Sequence, residues 1–106
     1  MFARAIRFEG ISEAEWGIGD SFFREDFIPR ALETEGFAGA YLLADREQGS
    51  VLSLTFWATK EALEASESDA KRFLAQYVEV YGNPPVVESF EVAYEHPLAR
   101  SAPGSC

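Results

Sequence analysis

Few residues in this sequence have types and spacings that suggest chemistry. His96 is the only histidine. An imidazole titrates near neutral pH, so it can act as a general base or as a single axial ligand. One His builds no multi-His metal site, and no His/Cys cluster accompanies it. Its place before Pro97, at a strand end, suits a surface or edge residue equally well. Trp57 and Tyr41 fall on neighbouring strands of one hairpin. Each offers an apolar body and a polar tip, which serves a small-ligand pocket or a packed core. Arg4 and Arg7 stand on opposite faces of the first strand. A charge on a covered face is costly without a partner. Glu88 or Glu91 of the last strand are the expected partners, and the alternative is that one Arg holds the anionic group of a small ligand. Tyr77 and Tyr81 share a helical stripe and read as core. The candidate ligand-binding set is therefore Trp57, Tyr41, His96 and Arg7, with no catalytic set and no metal or cofactor ligands assigned.

Several kinds of chemistry find little support in the sequence. No G-x-S-x-G nucleophile elbow is present. Gly17 and Gly19 lack the spacing of a dinucleotide fingerprint, and no Gly-rich phosphate loop follows a strand. The single cysteine, Cys106, is the last residue. It forms no internal disulfide, and a terminus after Pro103 and Gly104 offers no electropositive pocket to activate a thiolate.

The chain has 106 residues, a length that suits one domain. Hydrophobic residues make up 47%, which excludes disorder over most of it. The balance of 9 Lys and Arg against 18 Asp and Glu excludes a nucleic-acid binder, which needs a basic footprint. Acids concentrate from Glu9 to Glu35, which reads as a solvated face. No apolar run reaches the roughly 18 residues of a membrane span. The start, MFARAIRFEG, lacks a signal-peptide core, so a cytoplasmic location is expected. Nine Phe, four Tyr and two Trp are many aromatics for this length. Some are expected to line a pocket or a subunit interface.

The elements that must position these residues follow from periodicity. Residues 2–8 alternate as a strand, with Phe2, Arg4, Ile6 and Phe8 on one face. Ser12 to Glu15 has capping-box spacing, and Gly17 and Gly19 are expected to loosen the chain after a short turn. Residues 22–33 carry an amphipathic pattern with Pro29 inside it, so a kink or break is expected there. Gly36 stops this helix. Residues 37–44 form a strand, with Phe37, Gly39, Tyr41 and Leu43 on one face and Ala38, Ala40, Leu42 and Ala44 on the other. A polar hairpin loop follows, then a strand over residues 51–58. Thr59 caps a helix over 60–65, and Ser68 is expected to cap a second over 69–81. Gly82-Asn83-Pro84-Pro85 stops it, and residues 86–95 form the last strand. Residues 97–106 read as a flexible tail behind a single domain of residues 1–96.

This β-α-β-β-α-β order predicts an α+β, ferredoxin-like fold: a four-stranded antiparallel sheet with helices on one face. Helices cover one face only, yet the hairpin strands are apolar or neutral on both. A second copy closing over the helix-free face, as a dimeric barrel, satisfies the pattern and removes exposed edges.

The stretch Gly36-Phe37-Ala38-Gly39-Ala40-Tyr41-Leu42-Leu43, then Asp45, Gly49, Leu52-Ser53-Leu54-Thr55-Phe56-Trp57 and Ala58-Thr59-Lys60-Glu61-Ala62-Leu63, resembles the second strand, hairpin and third strand of the dimeric α+β barrel superfamily. Within it the sequence most resembles the antibiotic biosynthesis monooxygenase-like and stress-responsive barrel-like small proteins. Ile28-Pro29-Arg30 fits the same pattern. The resemblance spans residues 2–95. It implies a homodimer and a cleft between helices and sheet in each subunit. Some members oxidise quinols or polyketide aromatics with oxygen and no bound metal or flavin, and others bind and degrade haem. The haem-degrading members' Asn, Trp and His places fall at or near Arg7, Ser66 and Gln76, and none matches. The metal-free members' Asn/Trp/Tyr set is matched by Trp57 and tyrosines, but the only Asn is Asn83.

The expected function is a cofactor-independent monooxygenase acting on a small aromatic or quinol-like compound. The alternatives are a non-catalytic binder of a small hydrophobic ligand, or an assembly module whose cleft is filled by its own side chains. The expected partners are a second copy through the sheet face and a small aromatic or hydrophobic ligand. No cofactor, nucleic acid or membrane is expected.

Overall fold

Alternation along Phe2–Phe8 (β1) sorts its side chains between two environments. Ile6 and Phe8 enter the core beside Phe73 and Tyr77, and Arg4 reaches the helices. Ala3, Ala5 and Arg7 face the other way. The molecule is a computed structural model that describes residues 1–81 and 84–96. The expected stop at Gly82-Asn83, the 97–106 tail and Cys106 lie outside the described residues.

Four strands form one antiparallel sheet in the order β2-β3-β1-β4, with β2 at Phe37–Asp45, β3 at Ser50–Trp57 and β4 at Val86–Glu91. The last strand is shorter than its sequence pattern suggests. It ends at Glu91, and one further bond runs from the Val92 N–H to the Met1 carbonyl. The register pairs Phe8 with Val51, Ile6 with Ser53, Arg4 with Thr55 and Phe2 with Trp57. Val51, Ser53, Thr55 and Trp57 therefore share the helix-covered face, and all are buried.

A bulge between Phe37 and Gly39 departs from simple alternation. An extra residue in one strand reverses the facing of what precedes it. Phe37 consequently turns to the helix side and meets the Trp57 ring edge-on at 5.3 Å, while Tyr41 and Leu43 stay on the opposite face.

The first helical region is longer than expected. The α-helix Glu13–Ser21 (α1) runs into a π-helical segment, Phe22–Phe27, and then into Ile28–Leu32 (α2). Gly17 and Gly19 lie inside α1 rather than ending it. Pro29 sits at the start of α2, behind the π segment, where the Ile28 N–H reaches back to the Phe23 carbonyl. Proline destabilises a helix through its missing donor and its clash with the preceding turn. The wider π turn changes that register just before Pro29, so the chain continues instead of breaking. Phe23 and Phe27 project from this region onto Phe73.

Gly36 ends the region with φ +87°, which a glycine adopts without strain. Helix Lys60–Ala65 (α3) starts on Thr59, whose Oγ1 accepts from the Ala62 N–H at 3.0 Å. The next helix, Glu67–Tyr81 (α4), begins before the expected Ser68 cap. The buried Ser66 carbonyl instead accepts from the Ala70 N–H at 3.0 Å.

The helix-free face carries Tyr41, Leu43, Leu52, Leu54, Phe56, Val86 and Phe90. Ala3 and Ala5 lie low between these larger neighbours and are shaded by them. Phe90 is 52% exposed and Val86 55%. Arg7 and Glu88 stand among these residues, and the rest of the face is as apolar as the sequence predicts. No described helix is long and apolar enough to cross a membrane.

Candidate aromatic cleft

Small residues on both walls open a cleft between α1, the π segment and the outer half of the sheet. On the sheet side, β2 presents Ala40, Leu42 and Ala44 to the helices, and the two alanines are too short to reach them. On the helix side Gly17 and Gly19 contribute no side chain. The space left is about 700 Å³. Its apolar lining includes Ile11, Trp16, Phe23, Ile28, Val51 and Tyr77. Asp20, Arg24 and Arg46 supply the charged groups.

Two of these groups are engaged within the protein. Arg24 Nη2 donates to Asp20 Oδ1 at 3.0 Å, one helical turn apart. The Tyr77 hydroxyl donates to the Gly19 carbonyl at 2.8 Å. The Tyr77 ring stacks on Phe8 with centroids 4.3 Å apart, which fixes the cleft floor. The Arg46 guanidinium lies over the Trp16 ring, 5.1 Å from its centroid. Arg46 comes from the hairpin and Trp16 from α1, so this contact spans the two walls.

The residues singled out from the sequence are dispersed. Tyr41 borders the cleft at the edge strand, but its side chain is on the helix-free face, where its ring meets Phe56 edge-on at 6.2 Å. Trp57 is 1% exposed, and its Nε1–H donates to Thr55 Oγ1 at 3.1 Å. The gap beside it measures about 10 Å³, less than a ligand needs. Arg7 is exposed on the helix-free face between Leu52 and Val86. His96 is exposed beyond β4. Trp16, Asp20, Arg24 and Arg46 are the cleft residues that the sequence reading passed over. The signal available was the pairing of Gly17 and Gly19 with Ala40 and Ala44, small residues on facing elements.

Arg4 does not pair with Glu88 or Glu91. Strand register puts Glu88 opposite Ala5, on the other face, and Glu91 opposite Phe2. Arg4 is 5% exposed and donates to Ser66 Oγ and to the Leu63 carbonyl, each at 2.9 Å. Leu63 belongs to the last turn of α3, where carbonyls lack helical partners and the dipole favours a cation. Burial pulls the Arg4 pKa down from its ordinary value, and the nearby Glu67 charge partly opposes this. Ser66, one of the places compared with the haem-degrading proteins, thus serves the Arg4 strut. Among the described residues no three His, Cys, Asp or Glu side chains gather to hold a metal.

No protein-family model matches the sequence. The uncharacterized protein Rv2557 of Mycobacterium tuberculosis is 31% identical over all 106 residues. The chain spans 47% of that protein, about half the length of the curated relatives it matches. Among solved structures, a monooxygenase from the ActVA-Orf6 gene of Streptomyces coelicolor, crystallised with nanaomycin D, superposes with a TM-score of 0.72 at 14% identity, covering 92% of each chain. SnoaB, a cofactor-independent oxygenase from Streptomyces nogalater, superposes with a TM-score of 0.65 at 16% identity, covering 92% of this chain and 97% of its own. A dimeric ferredoxin-like protein from an uncultured marine organism gives 0.69 at 14% identity, covering 92% of both. The chain therefore has the ferredoxin-like α+β fold of the antibiotic biosynthesis monooxygenase-like proteins.

Proposed function

We propose that the cleft binds a small aromatic or quinol-like compound, and that the chain does so as a homodimer closed through its helix-free sheet face. The open, aromatic-walled space of about 700 Å³ carries this reading. Small-molecule sites are concave, mostly apolar and of roughly 300–1,000 Å³. A module whose cleft is filled by its own side chains does not fit that volume. The dimer is supported by the exposed apolar sheet face and by the dimeric ferredoxin-like neighbour.

A thermal-shift series with naphthols, anthrones and quinols tests the binding. A ligand at 100 times its Kd stabilises by about 2.7 kcal/mol, enough to raise Tm by several degrees. Filling the cleft by Ala40→Phe is expected to abolish the shift. A series with no stabilisation by any of these compounds rejects the reading.

A catalytic role is a second reading, favoured by Asp20 in the lining and by the two oxygenases that share the fold. Oxidising a quinol with oxygen and no cofactor begins with loss of a phenolic proton, which leaves an electron-rich anion to reduce oxygen. We assign the Asp20 carboxylate to take that proton. Oxygen uptake above the buffer rate that falls in Asp20→Asn supports the role. Binding without uptake leaves the protein as a binder.

A further inference from the structure

We propose that the cleft selects aromatic ligands carrying one acidic group, and that Arg46 holds that group at the cleft mouth. This deepens the aromatic-ligand reading and rests on it.

The charge balance of the lining is the first support. The chain carries a formal net charge of −9. Against that background, the ionised residues of the cleft are two cations, Arg24 and Arg46, and one anion, Asp20. Asp20 is bound to Arg24. Arg46 has no described acid within ion-pair distance. The single excess charge of the cleft is therefore positive, and it resides on Arg46.

The geometry of Arg46 is the second support. Its guanidinium lies over the Trp16 ring. Cation–π attraction places no demand on the N–H donors, which lie in the guanidinium's own plane. That planar fork matches a carboxylate, which it can bind through two parallel hydrogen bonds. Trp16 also lines the cleft, so the fork stands beside the apolar wall that would hold the ligand's ring.

The hairpin bearing Arg46 is fixed, which is the third support. Asp45 Oδ1 accepts from the Gln48 N–H at 3.1 Å, and the Gly49 carbonyl accepts from the Ile11 N–H at 2.9 Å. Gly49 has φ +69°, and a Cβ there would stand 2.9 Å from the Ile11 carbonyl oxygen. The turn is thus tied to the segment that leads into α1, and Arg46 starts from a restrained backbone. Little ordering remains to be done when a ligand arrives.

The test compares 2-naphthoate with 2-naphthamide, a neutral ring system of the same shape, by isothermal titration calorimetry at pH 7 on the intact protein. Expected is about tenfold tighter binding of the carboxylate, as a charge-assisted pair provides. In Arg46→Gln, which changes an exposed loop residue, that preference is expected to vanish. Equal affinity for the two probes, with binding retained, overturns the acid preference while leaving the aromatic-ligand reading standing. A preference that survives in Arg46→Gln overturns the role of Arg46. Failure of both probes to bind overturns the inference together with the reading beneath it.

Discussion

The Tyr77 hydroxyl donates to the Gly19 carbonyl at 2.8 Å, tying the middle of α4 to α1 across the floor of the cleft. Both residues are buried. The Gly19 carbonyl lies where the α-helix passes into the π segment, and there its helical partner is the Phe22 N–H. The change of helix type turns this carbonyl toward a side-chain donor. Tyr77→Phe removes one buried hydrogen bond and keeps the ring on Phe8. The expected cost is about 1 kcal/mol, read as a Tm loss of roughly 4–8 °C at fixed protein concentration. Tyr77→Ala also removes the stacked ring and is expected to cost about 3–5 kcal/mol. Equal losses in the two variants would show that the hydroxyl, not the ring, holds this floor.

Arg4 gives an order of tolerance opposite to chemical similarity. Its guanidinium reaches both Ser66 Oγ and the Leu63 carbonyl from a buried position. Arg4→Lys keeps a charge in that place but cannot fork to both acceptors, and about 2–3 kcal/mol should be lost. Arg4→Met keeps the volume and removes the buried charge. Ser66 Oγ still donates to the Leu63 carbonyl, so that acceptor stays satisfied. Methionine is expected to fall within about 1 kcal/mol of the parent. Urea titration of the two variants decides it, and lysine proving the milder change would contradict the strut.

Gly36 and Gly17 should respond oppositely to alanine. At Gly36, φ is +87° and an added Cβ would stand 2.5 Å from the Ala62 Cβ. The left-handed conformation alone costs about 1–2 kcal/mol, and the clash adds to it. At Gly17 a Cβ meets nothing within 4 Å, and the residue lies inside α1. Gly17→Ala is therefore expected to stabilise by about 0.5–1 kcal/mol. Thermal melts that move both variants in the same direction would refute the distinction.

The fold was legible because its signals are local. Period-2 alternation in residues 2–8, Gly36 after a helical stripe, and Thr59 ahead of Lys60 each name their element without knowledge of the rest. The two apolar sides of the strand, Leu52, Leu54 and Phe56 on one and Val51 and Trp57 on the other, likewise point to an uncovered face. The helical region misled for a physical reason. Gly17, Gly19 and Pro29 are poor helix residues, and packing of Phe23 and Phe27 on Phe73, with a π turn ahead of Pro29, outweighs their propensities. The bulge at Phe37/Gly39 was also hidden, since alternation assumes an unbroken ladder.

The cleft was much less legible. Its polar rim joins Trp16 to Arg46 and Asp20 to Arg24, and the first of these contacts depends on how the hairpin folds back onto the start of α1. Trp57 drew attention by residue type, yet the register opposite Phe2 and the turned Phe37 pack it into the core. A cavity is made by side chains that are small or absent, and a search for reactive types passes over them.

Acid should weaken the start of α1 through Glu15. The Ser12 N–H donates to Glu15 Oε1 at 2.8 Å, and this backbone bond, then a side-chain bond from Ser12, holds the Glu15 pKa below its usual value. The folded value lies below the unfolded one. The contribution is therefore present above the ordinary Glu pKa of about 4.3 and is lost as pH falls through the lower folded value. Glutamine can still accept from the cap but does not titrate there. The stability difference between the parent and Glu15→Gln should stay flat above about pH 5 and shift against the parent below about pH 4. Denaturant titrations across that range check it, and a difference independent of pH would remove Glu15 as the cause.

The helix-free face yields the prediction on which assembly depends. Leu54 sits at its centre, opposite Ala5 on β1 and Tyr41 on β2. If a second copy covers this face, Leu54→Glu places an unpaired carboxylate in an apolar contact. Such a group costs several kcal/mol when buried, so the dimer Kd should rise by about 100-fold or more. The outer surface of α4 supplies the control. Val78 is exposed there and belongs to the opposite side of the molecule, so Val78→Glu should leave assembly unchanged. Sedimentation velocity over a concentration series separates the outcomes, with circular dichroism reporting that both variants fold. Should Leu54→Glu sediment as the parent does, the apolar face is not the contact between copies. Should the parent itself sediment as a lone subunit, Leu52, Leu54, Phe56 and Phe90 stand in water, and the barrel reading fails with them.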